Sequence, residues 1–223
     1  MLRMTTSALK VLVVEDNPFT RTTLCGALEN EGVRVVASVD SAARALEAAT
    51  RLQPDAALID LDLGDGPSGA DFAAEVRRLI PRIGIVILTS YEDPRLAGEH
   101  VEQLPTNARY VIKRDLRDAR ALVETLARAV ESAREERGPE VPIQIRSHGA
   151  TARLTDAQVE IMRLVADGLS NHEIARRRFV SDKAVERMLM RIAQELDIPT
   201  DSTTNRRVLM TRAYLRMAGS DDA

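Results

Sequence analysis

The chain has 223 residues, 44% apolar and 29% charged, with a net charge of −3 and a single cysteine, Cys25. One cysteine excludes an intrachain disulfide and fits a reducing compartment, and no apolar stretch approaches the ~20 residues of a membrane span. The first residues, Met1-Leu2-Arg3-Met4-Thr5-Thr6, lack the apolar core of a secretory signal, so the expectation is a cytoplasmic protein of one large domain or two small ones.

Residues 10–130 alternate between short apolar runs and helical patterns. The strands read as Lys10–Glu15, Arg34–Val39, Ala56–Asp60, Gly84–Thr89 and Tyr110–Lys113. Between them lie segments such as Ser41–Leu52, with Leu46 and Ala49 on one face. Strand–helix alternation at this spacing predicts βαβ units and a parallel sheet, and right-handed crossovers place helices on both of its faces. The last helix of this part is predicted over about Asp115–Glu136, with Leu116, Ala119, Val123, Leu126 and Val130 at 3–4 spacing. Gly138-Pro139 stops it, and the aperiodic stretch that follows, with Pro142 and Gly149, reads as a linker.

Beyond the linker the pattern is helical only. A segment opened by Thr155 carries Val159, Met162 and Val165 at 3–4 spacing and ends at Gly168. Ser170 caps a short helix, Asn171–Arg178, and Ser181 or Asp182 caps a longer one to about Leu196. A fourth lies near Asn205–Ala218. Two helices joined by a tight turn, the second long, form the helix-turn-helix plan. Charge follows the same division: residues 1–137 hold 18 Lys/Arg against 22 Asp/Glu, and residues 151–219 hold 12 against 9. A basic C-terminal part behind an acidic N-terminal one leans toward nucleic acid at one end only.

The chemistry-bearing residues of the first part all fall at strand ends. Glu15-Asp16 closes the first strand, Asp60 the third, Thr89 the fourth and Lys113 the fifth. Parallel strands bring these ends to one sheet edge, where sites of open α/β sheets are built. Three carboxylates gathered there repel one another unless a cation sits among them, which points to Mg2+. In that arrangement Glu15 and Asp16 hold the hydrated magnesium, and Asp60 ligates it and attacks phosphorus. Thr89 hydrogen-bonds a phosphoryl oxygen and Lys113 neutralises its charge.

Val11-Leu12-Val13-Val14-Glu15-Asp16-Asn17-Pro18, Pro54-Asp55-Ala56-Ala57-Leu58-Ile59-Asp60, Leu88-Thr89-Ser90 and Tyr110-Val111-Ile112-Lys113 resemble the receiver domain of bacterial two-component response regulators over about residues 8–130. The resemblance implies a flavodoxin-like α/β fold, a five-stranded doubly wound parallel sheet with five helices. It makes Asp60 the phospho-acceptor, adds the backbone carbonyl of Asp62 to the metal shell, and makes Thr89 and Tyr110 the switch residues. It also implies a sensor histidine kinase as phosphodonor. The sequence departs from the family after the acceptor, where a Met-Pro-Gly run is usual and Leu61-Asp62-Leu63-Gly64-Asp65-Gly66-Pro67-Ser68-Gly69 stands instead. Asp60-Leu61-Asp62 also fits the Asp-x-Asp opening of haloacid-dehalogenase-type phosphatases, with Asp62 as general acid. That family carries its first acidic motif on the first strand and needs a later acidic pair. Here Glu15-Asp16 precedes, and the only late pair is Asp221-Asp222 at the C-terminus.

Gly168-Leu169-Ser170-Asn171-His172-Glu173-Ile174-Ala175 and Val180-Ser181-Asp182-Lys183-Ala184-Val185 are similar to the LuxR/NarL-type helix-turn-helix over about residues 151–217. This resemblance implies an all-α, four-helix domain whose third helix enters the major groove of double-stranded DNA, and a homodimer on a two-fold site. On the candidate recognition helix, Val185, Leu189 and Ile192 are expected in the core. Lys183, Arg187 and Arg191, at four-residue spacing, are expected toward phosphates and base edges. Glu186, Met188 and Glu195 depart from the basic or His residues common there, and keep a second reading open in which this domain binds protein. Arg176-Arg177-Arg178, Arg206-Arg207 and Arg212 read as solvated helix positions or phosphate clamps; His100, His148 and His172 read as surface residues.

The expectation is therefore a receiver at 8–133, a linker at 134–150 and a helix-turn-helix domain at 151–218. Together they form a phosphorylation-dependent transcriptional regulator that is no enzyme beyond its own phosphoryl transfer and dephosphorylation.

Overall fold

In the computed structural model, residues 8–64, 66–91, 93–97, 104–105, 107–116, 118–135, 149–199 and 204–219 are described. They fall into two compact units, one within Met1–Thr89 and His100–Gln144, the other within Ser90–Glu99 and Ile145–Ala223.

The first unit is built on five parallel strands: β1 (Lys10–Val14), β2 (Arg34–Val39), β3 (Ala56–Asp60), β4 (Gly84–Thr89) and β5 (Arg109–Ile112). Their order in the sheet is β2-β1-β3-β4-β5. Helices α1 (Pro18–Asn30), α2 (Ala42–Leu52), α3 (Gly69–Leu79) and α4 (Ala119–Arg134) cover it. Helices α1 and α4 pack together on one face, and α2 and α3 on the other. With both faces covered, β3 and β4 are buried at every position, which is why they read as unbroken apolar runs. The period of two still sorts their side chains: Val11, Val13, Leu58, Val86 and Leu88 join Leu24, Leu28, Leu122 and Leu126 in the core under α1 and α4.

Local chemistry sets the helix ends. Asn17 Oδ1 accepts from the Phe19 and Thr20 amides ahead of Pro18, and Asp118 accepts from the Ala121 amide. That cap shortens the last helix from its expected start at Asp115, because Lys113–Asp115 is a 3-10 turn. In α2 the buried stripe is Ala42, Ala45, Ala48 and Ala49, while Leu46, expected on one face with Ala49, is only half-buried. Alanines bring this helix close to the sheet and leave the leucine at its margin. Between β4 and β5, where the family fold has a helix, the described residues hold only a 3-10 turn, Pro94–Ala97, and that turn belongs to the second unit.

The second unit contains that turn, a further 3-10 segment at Gly149–Arg153, and helices α5 (Asp156–Ala166), α6 (Asn171–Arg178), α7 (Asp182–Glu195) and α8 (Arg206–Met217). Thr155 and Gln158 form a capping box on α5, and Ser170 and Ser181 cap α6 and α7. Gly168 at φ +83 reverses the chain between α5 and α6, as a C′ glycine does. The α6–α7 turn is made instead by Phe179 at φ +54, a left-handed conformation uncommon outside glycine, and its ring is 96% exposed. Val159, Met162, Ile174, Val185, Ile192, Met210 and Tyr214 form the core, joined by Leu96 of the 3-10 turn.

Candidate functional site

The parallel register assembles the first site. Val14 pairs with Ile59, so Glu15, the next residue, stands beside Asp60. Asp60 pairs with Leu88 and Thr89 with Ile112, which sets Thr89 and Lys113 at the same strand edge. Glu15, Asp60 and Thr89 are buried, and Asp16 is exposed. Tyr110, half-buried on β5, pairs with Ile87.

The Lys113 ammonium bridges two carboxylates, donating at 2.8 Å to Glu15 Oε2 and at 2.8 Å to Asp60 Oδ2. Burial pushes the Asp60 carboxyl up to about 7, against the pull of Lys113 and with a further push from Glu15. Burial opposes the charge on Lys113 too, but Asp60 and Glu15 outweigh it and hold the ammonium above the ordinary lysine range. The other oxygen of Glu15, Oε1, is buried without a hydrogen-bond partner. Oxygens of Glu15, Asp16 and Asp60 lie within 4.8 Å of one another. A hard divalent cation with oxygen ligands fits this donor set and takes up the orphaned Glu15 oxygen.

Two supports around the site are not apparent from composition or spacing. Arg21, one turn into α1, donates from one guanidinium nitrogen to the backbone carbonyls of Glu15 at 2.6 Å and Asp16 at 3.0 Å, which fixes the acidic pair's main chain. The signal for it is positional: Asn17 and Pro18 start the helix, and the residue one turn later on that face looks back at the strand end. The atypical loop after Asp60 is anchored by Leu61 and Leu63, 4% and 6% exposed. The Asp62 amide donates to Asp60 Oδ1 and the Gly64 amide to Asp62 Oδ1, each at 3.4 Å. Asp65 lies outside the described residues. Gly69 ends the loop where a Cβ would stand 1.9 Å from the Asp60 carbonyl oxygen, so only glycine permits this approach.

In the second unit, Lys183, Arg187 and Arg191 are all exposed on α7, together with Glu186 and Met190. Val185, Leu189 and Ile192 are buried, and Met188 packs against the core rather than joining the exposed row. Arg176 and Arg177 both pair with Glu173, and Arg178 with Glu160 on α5. Arg207 donates to Asn171 Oδ1 at 2.7 Å and to the Leu169 carbonyl, tying α8 to the α5–α6 turn, a structural role hidden in the Arg206-Arg207 run. Exposed His172 lies 3.5 Å from Asp182, while His100 and His148 fall outside the described residues.

A family profile described as "Response regulator receiver domain" matches residues 11–127, and one described as "Bacterial regulatory proteins, luxR family" matches residues 152–207. The chain is 29% identical over 200 residues to the response regulator protein VraR of Staphylococcus epidermidis, covering 86% of this chain and 91% of that protein. VraR of Staphylococcus aureus is similar at 29% over 200 residues, covering 85% and 91%. Among solved structures, the RcsB–DNA complex matches with a TM-score of 0.56 at 21% identity, covering 95% of this chain and 99% of that one. The receiver domain of a modulated diguanylate cyclase from Desulfovibrio desulfuricans G20 matches with a TM-score of 0.51 at 26% identity, covering 59% of this chain and all of that one.

Proposed function

Because the chain belongs to the response regulators, a receiver domain followed by a luxR-family regulatory domain, we propose that it is a transcription regulator switched by phosphorylation of Asp60. The observation that carries this reading is the Lys113 ammonium shared by Asp60 and Glu15 beside an orphaned Glu15 oxygen. It is a site arranged for an added anion and a cation together. Glu15, Asp16, Asp60 and the backbone carbonyl of Asp62 would hold Mg2+, which supplies charge neutralisation for the phosphoryl oxygens. Asp60 Oδ forms the new O–P bond as the P–N bond of a phosphohistidine on a sensor kinase breaks, and the imidazole leaves with the bonding electron pair. Lys113 exchanges part of its pairing with Asp60 for a phosphoryl oxygen, the Thr89 hydroxyl donates to another, and Tyr110 follows Thr89 inward.

The proposed domains are 8–133 and 151–218, joined by a linker at 134–150. The output is double-stranded DNA bound by a homodimer through Lys183, Arg187 and Arg191. RcsB, whose fold this chain shares, is bound to DNA as dimers in a solved structure, which supplies the architecture. The exposed row on α7 supplies the chemistry. Exposed Glu186 and Met190 within that face favour a second reading, a protein partner in place of DNA.

Labelled phosphoryl incorporation from acetyl phosphate with Mg2+ is expected in the native chain and absent in Asp60→Asn; labelling that survives the substitution rejects the acceptor. A salt-dependent gel shift with genomic fragments, with and without the phosphodonor, tests the output. Absence of specific binding in both states rejects the DNA reading in favour of the protein-binding one.

A further inference from the structure

One apolar side chain stands where neither the backbone nor the core asks for it. Phe179 ends α6 in the left-handed region at φ +54. The main chain alone closes the helix there: the Phe179 amide donates to the Arg176 carbonyl at 3.4 Å, and the Val180 amide to the Ala175 carbonyl at 3.0 Å. This is a helix ending usually made by glycine, because a Cβ is penalised at such a φ. Glycine would keep both bonds and remove the strain. The ring gains nothing from packing either. At 96% exposed, Phe179 is the most exposed large apolar side chain among the described residues, and Val180 beside it is exposed too. A bulky residue at positive φ with its ring in water carries two costs that the fold does not recover, and such outliers gather at binding sites.

Its place in the chain decides what it meets. Ser181, two residues on, caps α7, so the ring stands at the entrance to that helix. In a helix-turn-helix the N-terminal residues of the second helix are the ones that reach base edges. The surroundings are cationic. Arg176 and Arg177 share one carboxylate, Glu173, which leaves a net positive charge at the end of α6, and Lys183 is exposed on the first turn of α7. Cations around an apolar tip fit a polyanion that offers an apolar group inside a groove. In the major groove of duplex DNA that group is the C5-methyl of thymine, and aromatic side chains such as phenylalanine cover it by apolar contact. Lys183, Arg187 and Arg191 carry only hydrogen-bond donors at their tips and cannot recognise a methyl group.

We propose that Phe179, with Val180 beside it, is a specificity residue that covers a thymine C5-methyl group in the major groove. This rests on the DNA reading proposed above and adds to it a preference at a base pair that the basic row on α7 does not supply. The contact lies wholly within the helical unit.

The test uses the full-length chain and the genomic fragment that it shifts most tightly, prepared once with thymine and once with uracil, which pairs alike but lacks the methyl group. The native chain is expected to bind the uracil fragment more weakly, by roughly fourfold for each methyl group covered. Phe179→Gly is expected to lose that factor on the thymine fragment and to bind both fragments alike. Its salt slope is expected to match the native one, since no phosphate contact is removed. Its melting temperature is expected not to fall, because glycine relieves the strain at this φ. Phe179→Asn, another residue that tolerates the left-handed region, repeats the comparison and guards against a folding defect of the glycine variant. Binding of the thymine fragment unchanged in both variants overturns the methyl contact. So does an equal loss on both fragments, which assigns the ring to a contact with a second copy of the chain, and so does a lowered melting temperature in both variants, which makes the ring structural. A native shift that is blind to the exchange of thymine for uracil overturns the methyl contact alone. If the native chain shifts no fragment specifically, the DNA reading fails and the methyl contact with it.

Discussion

The proposed phosphoryl transfer needs Asp60 as a carboxylate, yet burial raises it to about 7. A carboxyl raised on folding favours the protonated native state. Its stabilising contribution is therefore present below its unfolded value of about 4 and lost as pH rises through about 7. Magnesium needs the ionised form. Titration calorimetry is expected to show Mg2+ affinity rising with pH up to about 7 and then levelling, with proton release below that pH; flat affinity from pH 5 to 8 contradicts it. Gly69 offers a steric test beside the same residue. Gly69→Ala puts a methyl group against the Asp60 carbonyl and is expected to cost about 3 kcal/mol in urea unfolding and to lower phosphoryl incorporation. Asp60 and Lys113 were legible in the sequence because each ends an apolar run. Arg21 was not, since it acts on backbone carbonyls and nothing in its own spacing distinguishes it from a solvated helix arginine.

Elements were legible wherever a cap and a period agreed. The α5 capping box is such a case, and Thr155→Ala is expected to destabilise the second unit by about 1 kcal/mol in denaturant melts. Legibility ended in the β4–β5 connection: its described residues carry Asp93-Pro94 and a 3-10 turn whose Arg95 finds backbone partners 56 and 59 residues away in sequence, a tertiary choice that no local pattern reports. Helix α7 shows the opposite. Its buried period was plain, and the fold moved Met188 inward and left Glu186 outside. For Arg187→Ala and Arg191→Ala the gel shift is expected to sort roles. A phosphate contact weakens all fragments alike and reduces the salt slope by about 1, whereas a base contact costs about 1–3 kcal/mol on the preferred fragment only.

For the molecule as a whole, division into a sheet-based unit and a helical unit could be read from the change of period near residue 150, but the assignment of the segment after Thr89 to the second unit could not. The feature with the widest reach is the smallest, the Lys113 ammonium between Glu15 and Asp60. The idle protein carries an internal counterion. Stripping divalent metal with a chelator is therefore expected to silence phosphoryl transfer while leaving the melting temperature nearly unchanged, and Lys113→Met is expected to make that temperature depend on added magnesium. A cell short of magnesium would then hold this protein folded and unresponsive, with its full complement intact for the moment the ion returns.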